Sequence, residues 1–123
     1  MTPKRIIFVE DDAILSLATC ETIGKFGYEV DSVCSGSAAI DAIRHGDYSA
    51  IVTDINLGAG PDGFQVAGYA RKLRPDIPVV YVSGTHGAQH AACGVRGSVF
   101  IAKPFHAHQI LAALSQLIHL EAA

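Results

Sequence analysis

Four short apolar blocks constrain this chain more than any other feature. Ile6-Ile7-Phe8-Val9, Ala50-Ile51-Val52, Val79-Val80-Tyr81-Val82 and Val99-Phe100-Ile101-Ala102 are rich in β-branched and aromatic residues and do not alternate with polar ones. A strand that is apolar on both faces needs cover on both faces, as in a parallel sheet between two layers of helices. A fifth segment, Tyr28 to Val33, mixes Tyr28, Val30 and Val33 with Glu29, Asp31 and Ser32, the composition of an edge strand.

Stretches of helical period separate these blocks. Asp12 is placed to cap a helix over 13–26. A second helix starts after Ser35, turns Ala39, Ile40 and Ile43 inward and ends near His45-Gly46. In the third, Asp62 and Gln65 have capping-box spacing, Val66, Ala70 and Leu73 form the inner stripe, and Pro75 stops it. The last runs over 106–120, with Ile110, Leu114, Leu117 and Ile118 on one face. The connection over 84–94 is weaker, because Gly84, Gly87 and Gly94 fall within it and an interior glycine costs a helix about 1 kcal/mol against alanine. It is expected to form a short or mobile helix. Five strand-then-helix repeats in 123 residues predict one α/β domain over 1–123, with right-handed crossovers and no output domain.

Composition removes several function classes. A net charge of −3, from 9 basic and 12 acidic residues, makes no electrostatic case for nucleic acid or an anionic membrane. No run approaches the roughly 18 apolar residues of a membrane span and no signal peptide is visible, so a cytoplasmic location is expected. Cys20, Cys34 and Cys93 are odd in number and lack a CxxC pattern, as expected of free thiols in a reducing compartment. His86 and His90, and His106 and His108, have no cysteine or carboxylate at a spacing that completes a zinc set.

In open parallel sheets, sites gather beyond the carboxyl ends of the strands, where strand order reverses. The first block here is followed by Glu10-Asp11-Asp12, the third by Asp54-Ile55-Asn56, the fourth by Ser83-Gly84 and the fifth by Lys103-Pro104; the second ends blandly in Cys34-Ser35. With strand order 2-1-3-4-5, Glu10, Asp11 and Asp54 converge on neighbouring strand ends roughly 5 Å apart. Their mutual repulsion is answered by protonation or, better, by a hard cation. Mg²⁺ suits such a site, since it takes one or two carboxylates, keeps waters and favours phosphate oxygens. The carbonyl of Asn56 could add an oxygen. Ser83, one strand over, could donate to Asp54. Lys103 lies two strands away, roughly 10 Å, within reach of a long stem leaning back. A carboxylate between a cation, an ammonium and a hydroxyl is suited to attack a phosphoryl group and hold the acyl phosphate.

The motifs Val9-Glu10-Asp11-Asp12, Val52-Thr53-Asp54-Ile55-Asn56, Val82-Ser83-Gly84 and Ala102-Lys103-Pro104-Phe105 resemble, in order and spacing over almost the whole chain, the signature positions of bacterial response-regulator receiver domains. That resemblance implies a flavodoxin-like fold and a phosphoryl-accepting switch of a two-component phosphorelay, one that catalyses only its own phosphotransfer and dephosphorylation. It implies Asp54 as phosphoacceptor, Glu10, Asp11 and Asp54 as Mg²⁺ ligands with the Asn56 carbonyl, and Ser83 and Lys103 as phosphate partners. It further implies Phe100 as an aromatic switch acting with Ser83, and Asn56 and Thr85 as tuners of phosphoryl lifetime. The implied partners are a histidine kinase or histidine phosphotransfer protein as donor and a downstream effector; monomer and homodimer both stay open. This chain departs from the pattern in using Glu10 where aspartate is commoner. Its loop 57–63 lacks a proline directly after Leu57 and is about one residue longer, and Phe100 has no hydroxyl.

Three other readings compete with this one. A phosphatase of the haloacid-dehalogenase class places its nucleophile after the first strand in a DxD pattern, which Glu10-Asp11-Asp12 does not match. A flavodoxin-like or dinucleotide module needs a Gly-, Ser- or Thr-rich phosphate loop there. A degenerate receiver serving as a protein-binding scaffold would have lost some of its acids or Lys103, and all are present.

Overall fold

The computed structural model describes residues 3–85 and 87–122, folded as β1 (Arg5–Val9), α1 (Ala13–Lys25), β2 (Glu29–Val33), α2 (Gly36–His45), β3 (Ala50–Asp54), α3 (Gly63–Leu73), β4 (Val79–Ser83), α4 (Gly87–Cys93), β5 (Val99–Ala102) and α5 (Ala107–Ala122). The strands form one parallel sheet in the order β2-β1-β3-β4-β5, the flavodoxin-like arrangement expected. Val9 pairs with Val33 and Thr53, Asp54 with Val82, and Ser83 with Ala102, so the strands finish together along one edge.

Side-chain parity explains why the blocks do not alternate. Ile7, Val9, Ile51, Val79 and Tyr81 point to one face and pack with Ala39, Ile43, Val66, Ala67 and Ala70 of α2 and α3. Ile6, Phe8, Ala50, Val52, Val80, Val82 and Ile101 point to the other and meet Ile23 of α1 and Ile110 and Leu114 of α5. Each such fully buried side chain stabilises the fold by about 1.5–3 kcal/mol relative to exposure. β2 has cover for fewer of its residues and stands at the edge, as its mixed composition requires.

The helix ends follow local chemistry. Asp12 accepts the N–H groups of Ile14 and Leu15, each at 3.1 Å, and Ser35 accepts that of Ala38. Asp62 and Gln65 form a reciprocal capping box, with both bonds at 2.9 Å. One expectation for α3 fails. Leu73 is 56% exposed rather than part of the inner stripe. The core beside Ala70 is filled by Ile77, from the chain after the helix, and the last turn of α3 is left outside. α4 is short, at seven residues. None of the described helices is long and apolar enough to cross a membrane.

Candidate functional site

The loop after β1 turns sharply into α1. Asp12 N–H donates to Glu10 Oε2 at 3.1 Å while the Asp12 side chain caps the helix, so Glu10 is drawn inward and Asp11 is left exposed at the rim. Val9 is level with Thr53 across β1 and β3, which sets Glu10 beside Asp54. Glu10, Asp11 and Asp54 each offer an oxygen within 4.8 Å of the others. The convergence expected from strand order is therefore present.

Lys103 completes the cluster from two strands away. Its N–H donates to the Ser83 carbonyl at 3.0 Å, extending the β4–β5 ladder past β5. Its backbone stands two residues beyond Ile101, the partner of Val82, which itself pairs with Asp54. The side chain must run back across β4, and its ammonium arrives 3.0 Å from Asp54 Oδ2 and 2.8 Å from Glu10 Oε1. The Lys103–Pro104 peptide that follows is cis.

The electrostatics follow from burial. The side chain of Glu10 has no solvent exposure and that of Asp54 only 7%. Burial raises the Glu10 pKa, and the opposing pull of Lys103 and of the Asp12 N–H does not cancel it. Burial works against the Lys103 ammonium too, but hydrogen bonds and charge from Glu10 and Asp54 outweigh it and raise its pKa. Oε1 of Glu10 is fully buried, and the Lys103 ammonium is the charge that faces it. Three hard oxygen donors within 4.8 Å of one another, two of them on buried carboxylates, fit a small divalent cation.

Asn56, Ser83 and Thr85, also named from the sequence, line the same cleft. Asp11, Asp54, Asn56, Gly58, Ser83, Gly84, Thr85 and Lys103 enclose about 430 Å³ at the edge of the sheet. Asn56 N–H donates to Asp54 Oδ1 at 3.2 Å, turning the backbone of 55–56 toward the acids. Ser83 Oγ accepts the Thr85 N–H at 3.2 Å. Phe100 lies off the cleft, half-buried against the α2–α3 face of the sheet. His86 lies outside the described residues.

Sequence reasoning missed how tightly the loop after Asp54 is held. Gly63 N–H donates to the Ile55 carbonyl at 2.8 Å, and a Cβ on Gly63 would meet the Asp54 carbonyl and come within 2.8 Å of Ile55 Cα. The longer loop is absorbed by Gly58 and Gly60, at φ +76° and +90°, and by Pro61, whose carbonyl packs on Gly36 at the start of α2. The glycines were visible in the sequence, but nothing there shows which backbone they approach.

A family model described as the response regulator receiver domain matches residues 6–115. A response regulator receiver protein from Sinorhizobium medicae WSM419 is 37% identical and superposes with a TM-score of 0.92 over 95% of both chains. The transcriptional regulatory protein TcrA of Mycobacterium tuberculosis is 31% identical over 115 residues, which are 92% of this chain and 45% of that protein; this chain thus spans less than half the length of that relative. The receiver domain of the sensor histidine kinase PA1611 from Pseudomonas aeruginosa, solved with magnesium in its active-site cleft, shares the fold at a TM-score of 0.81 and 21% identity, over 95% of this chain and 98% of that one.

Proposed function

Because the chain belongs to the response regulator receiver family, we propose that it works as a signalling switch of a two-component phosphorelay by accepting a phosphoryl group on Asp54. The observation that carries this reading is the bridging of Glu10 and Asp54 by the Lys103 ammonium at the closed edge of the sheet. Asp54 is the buried carboxylate that opens onto the cleft, with Oδ1 on the Asn56 N–H and Oδ2 on Lys103.

In this reading a carboxylate oxygen of Asp54 attacks the phosphorus of a phosphohistidine on a histidine kinase or phosphotransfer protein. The new P–O bond forms as the P–N bond breaks, and the departing imidazole nitrogen keeps the electron pair and takes a proton. Lys103 keeps its charge throughout, because its raised pKa lies far above neutrality, and its ammonium neutralises an oxygen of the incoming group. Ser83 and Thr85 line the cleft where the remaining phosphoryl oxygens would sit. Glu10, Asp11 and Asp54, with the Asn56 carbonyl, would hold Mg²⁺, which would supply positive charge to offset that of the carboxylates and of the incoming phosphoryl group. The magnesium described for the PA1611 receiver supports that choice of ion. Phe100 would report the change to an effector by packing, having no hydroxyl. Asn56 and Thr85 at the cleft wall would set how readily water reaches the acyl phosphate.

The test is incubation with acetyl phosphate, with and without Mg²⁺, followed by intact mass. One added phosphoryl group (about 80 Da) that requires both Mg²⁺ and Asp54 is expected, and Asp54→Ala should abolish it. Beryllofluoride serves as the stable mimic where hydrolysis is fast. Failure of the wild-type chain to bind either would favour a protein-binding scaffold over a phosphoacceptor.

A further inference from the structure

A second cluster lies beneath α4, away from the carboxylates. The His90 imidazole in α4 stands edge-on to Tyr81, with ring centres 5.5 Å apart, and 5.7 Å from Phe100. Its Nε2 lies 2.9 Å from Ser98 Oγ. A serine hydroxyl has one proton to give, and Ser98 gives it to the Val95 carbonyl at 2.6 Å. Ser98 Oγ therefore accepts from His90, and Nε2 carries the hydrogen. Tyr81 adds a second tie, its phenol oxygen accepting the Val95 N–H at 3.1 Å.

The glycines that weaken α4 as a helix are what let it come this close. A Cβ on Gly87 would sit 3.3 Å from Phe100 Cε2. A Cβ on Gly94 would sit 2.5 Å from His90 Cδ2 and 2.7 Å from the His90 carbonyl. The imidazole thus joins three parts: α4, the segment 95–98 leading into β5, and the ring of Phe100, to which the proposed function gives the switch role.

We propose that His90 is a positioning residue for the switch: through Nε2–H to Ser98 and ring contact with Phe100 it holds α4 in the resting arrangement, and occupation of Asp54 by a phosphoryl group releases it. This rests on the phosphoacceptor reading above. A bond made in one arrangement and absent in the other shifts the balance between them by its own free energy. Removing it should ease occupation of the site although His90 does not line the cleft.

The experiment is NMR on the full chain with ¹⁵N-labelled histidine, in Mg²⁺, titrated with beryllofluoride. In the wild type, the His90 Nε2–H signal seen before addition should be lost on saturation. Ser98→Ala should reach half-saturation at about fivefold lower beryllofluoride, the size expected of one neutral hydrogen bond. His90→Phe, which keeps a ring and lacks the donor, should move the same way, and His90→Gln, which restores an N–H, should return toward wild type. Mere loosening of the fold would lower Tm in all three without this order of half-saturation. A wild type that saturates while its His90 signals stay put, or a Ser98→Ala that binds as wild type does, would overturn the proposal. A wild type that binds no beryllofluoride would overturn the phosphoacceptor reading itself, and the release of His90 with it.

Discussion

The ammonium of Lys103 lies 2.8 Å from Oε1 of Glu10, a carboxylate with no exposed side-chain surface. Lys103 therefore serves the resting fold as well as the proposed chemistry. Lys103→Met should cost about 2–3 kcal/mol at neutral pH, since it strands a buried charge. The sign with pH follows from Glu10, whose folded pKa is raised by burial. The folded state then binds its proton more readily than the unfolded chain, so the penalty is felt above the folded pKa and fades as pH falls through it. Urea unfolding at pH 5 and pH 7.5 should show a smaller loss at the lower pH. Equal losses would mean that Glu10 is not the stranded group.

Mg²⁺ should stabilise the protein by mass action. At tenfold over its dissociation constant the gain is about 1.4 kcal/mol, read as a rise in Tm. Asp11 is the exposed member of the acidic triad, and replacing it leaves the core untouched. Asp11→Asn should keep the Mg²⁺-free stability within about 0.5 kcal/mol while removing most of the rise. A variant with the full rise would exclude Asp11 as a ligand.

Two glycines of α3 should respond in opposite directions. A methyl on Gly63 meets backbone of 54–55 that cannot swing aside, so Gly63→Ala should cost about 2 kcal/mol or more and slow acetyl-phosphate labelling, because the displaced loop begins at Asp54. Gly68 has nothing within 4 Å of a built Cβ, and Gly68→Ala should stabilise by about 0.5–1 kcal/mol. Denaturant midpoints of the two variants check the pair.

At the opposite end of the sheet, Tyr48 donates to Asp31 Oδ2 at 2.7 Å, and Arg5 donates to the same oxygen at 2.5 Å. Burial, then the bond to Asp31, pushes the Tyr48 phenol up to about 12. The folded state thus keeps a proton that the unfolded chain gives up near pH 10, and stability is lost as pH rises from there toward 12. Tyr48→Phe should flatten the fall of Tm between pH 10 and pH 12. If the fall is unchanged in the variant, another group causes it.

Much of this protein was legible in its residues because each signal acts over a short range. Ile6 to Val9 and Val79 to Val82 are apolar on both faces and rich in β-branched residues, as a parallel strand covered on both sides requires. Asp12, Ser35 and the Asp62–Gln65 pair cap helices through bonds that span two or three residues. The acids, Ser83 and Lys103 were legible because the end of a strand is a place that sequence can mark, and strand order then brings those ends together. What the sequence could not decide was contact between residues far apart along the chain. Leu73 continued the period of α3, but only the arrival of Ile77 from beyond the helix decided that its place in the core was taken. Gly87 and Gly94 looked like defects in a helix, yet they are clearances for Phe100 and His90, because a missing Cβ has meaning only once its neighbour is known. The bond from His90 to Ser98 and the reach of Lys103 to a buried Glu10 belong to the same class, fixed by a packing that no local pattern encodes.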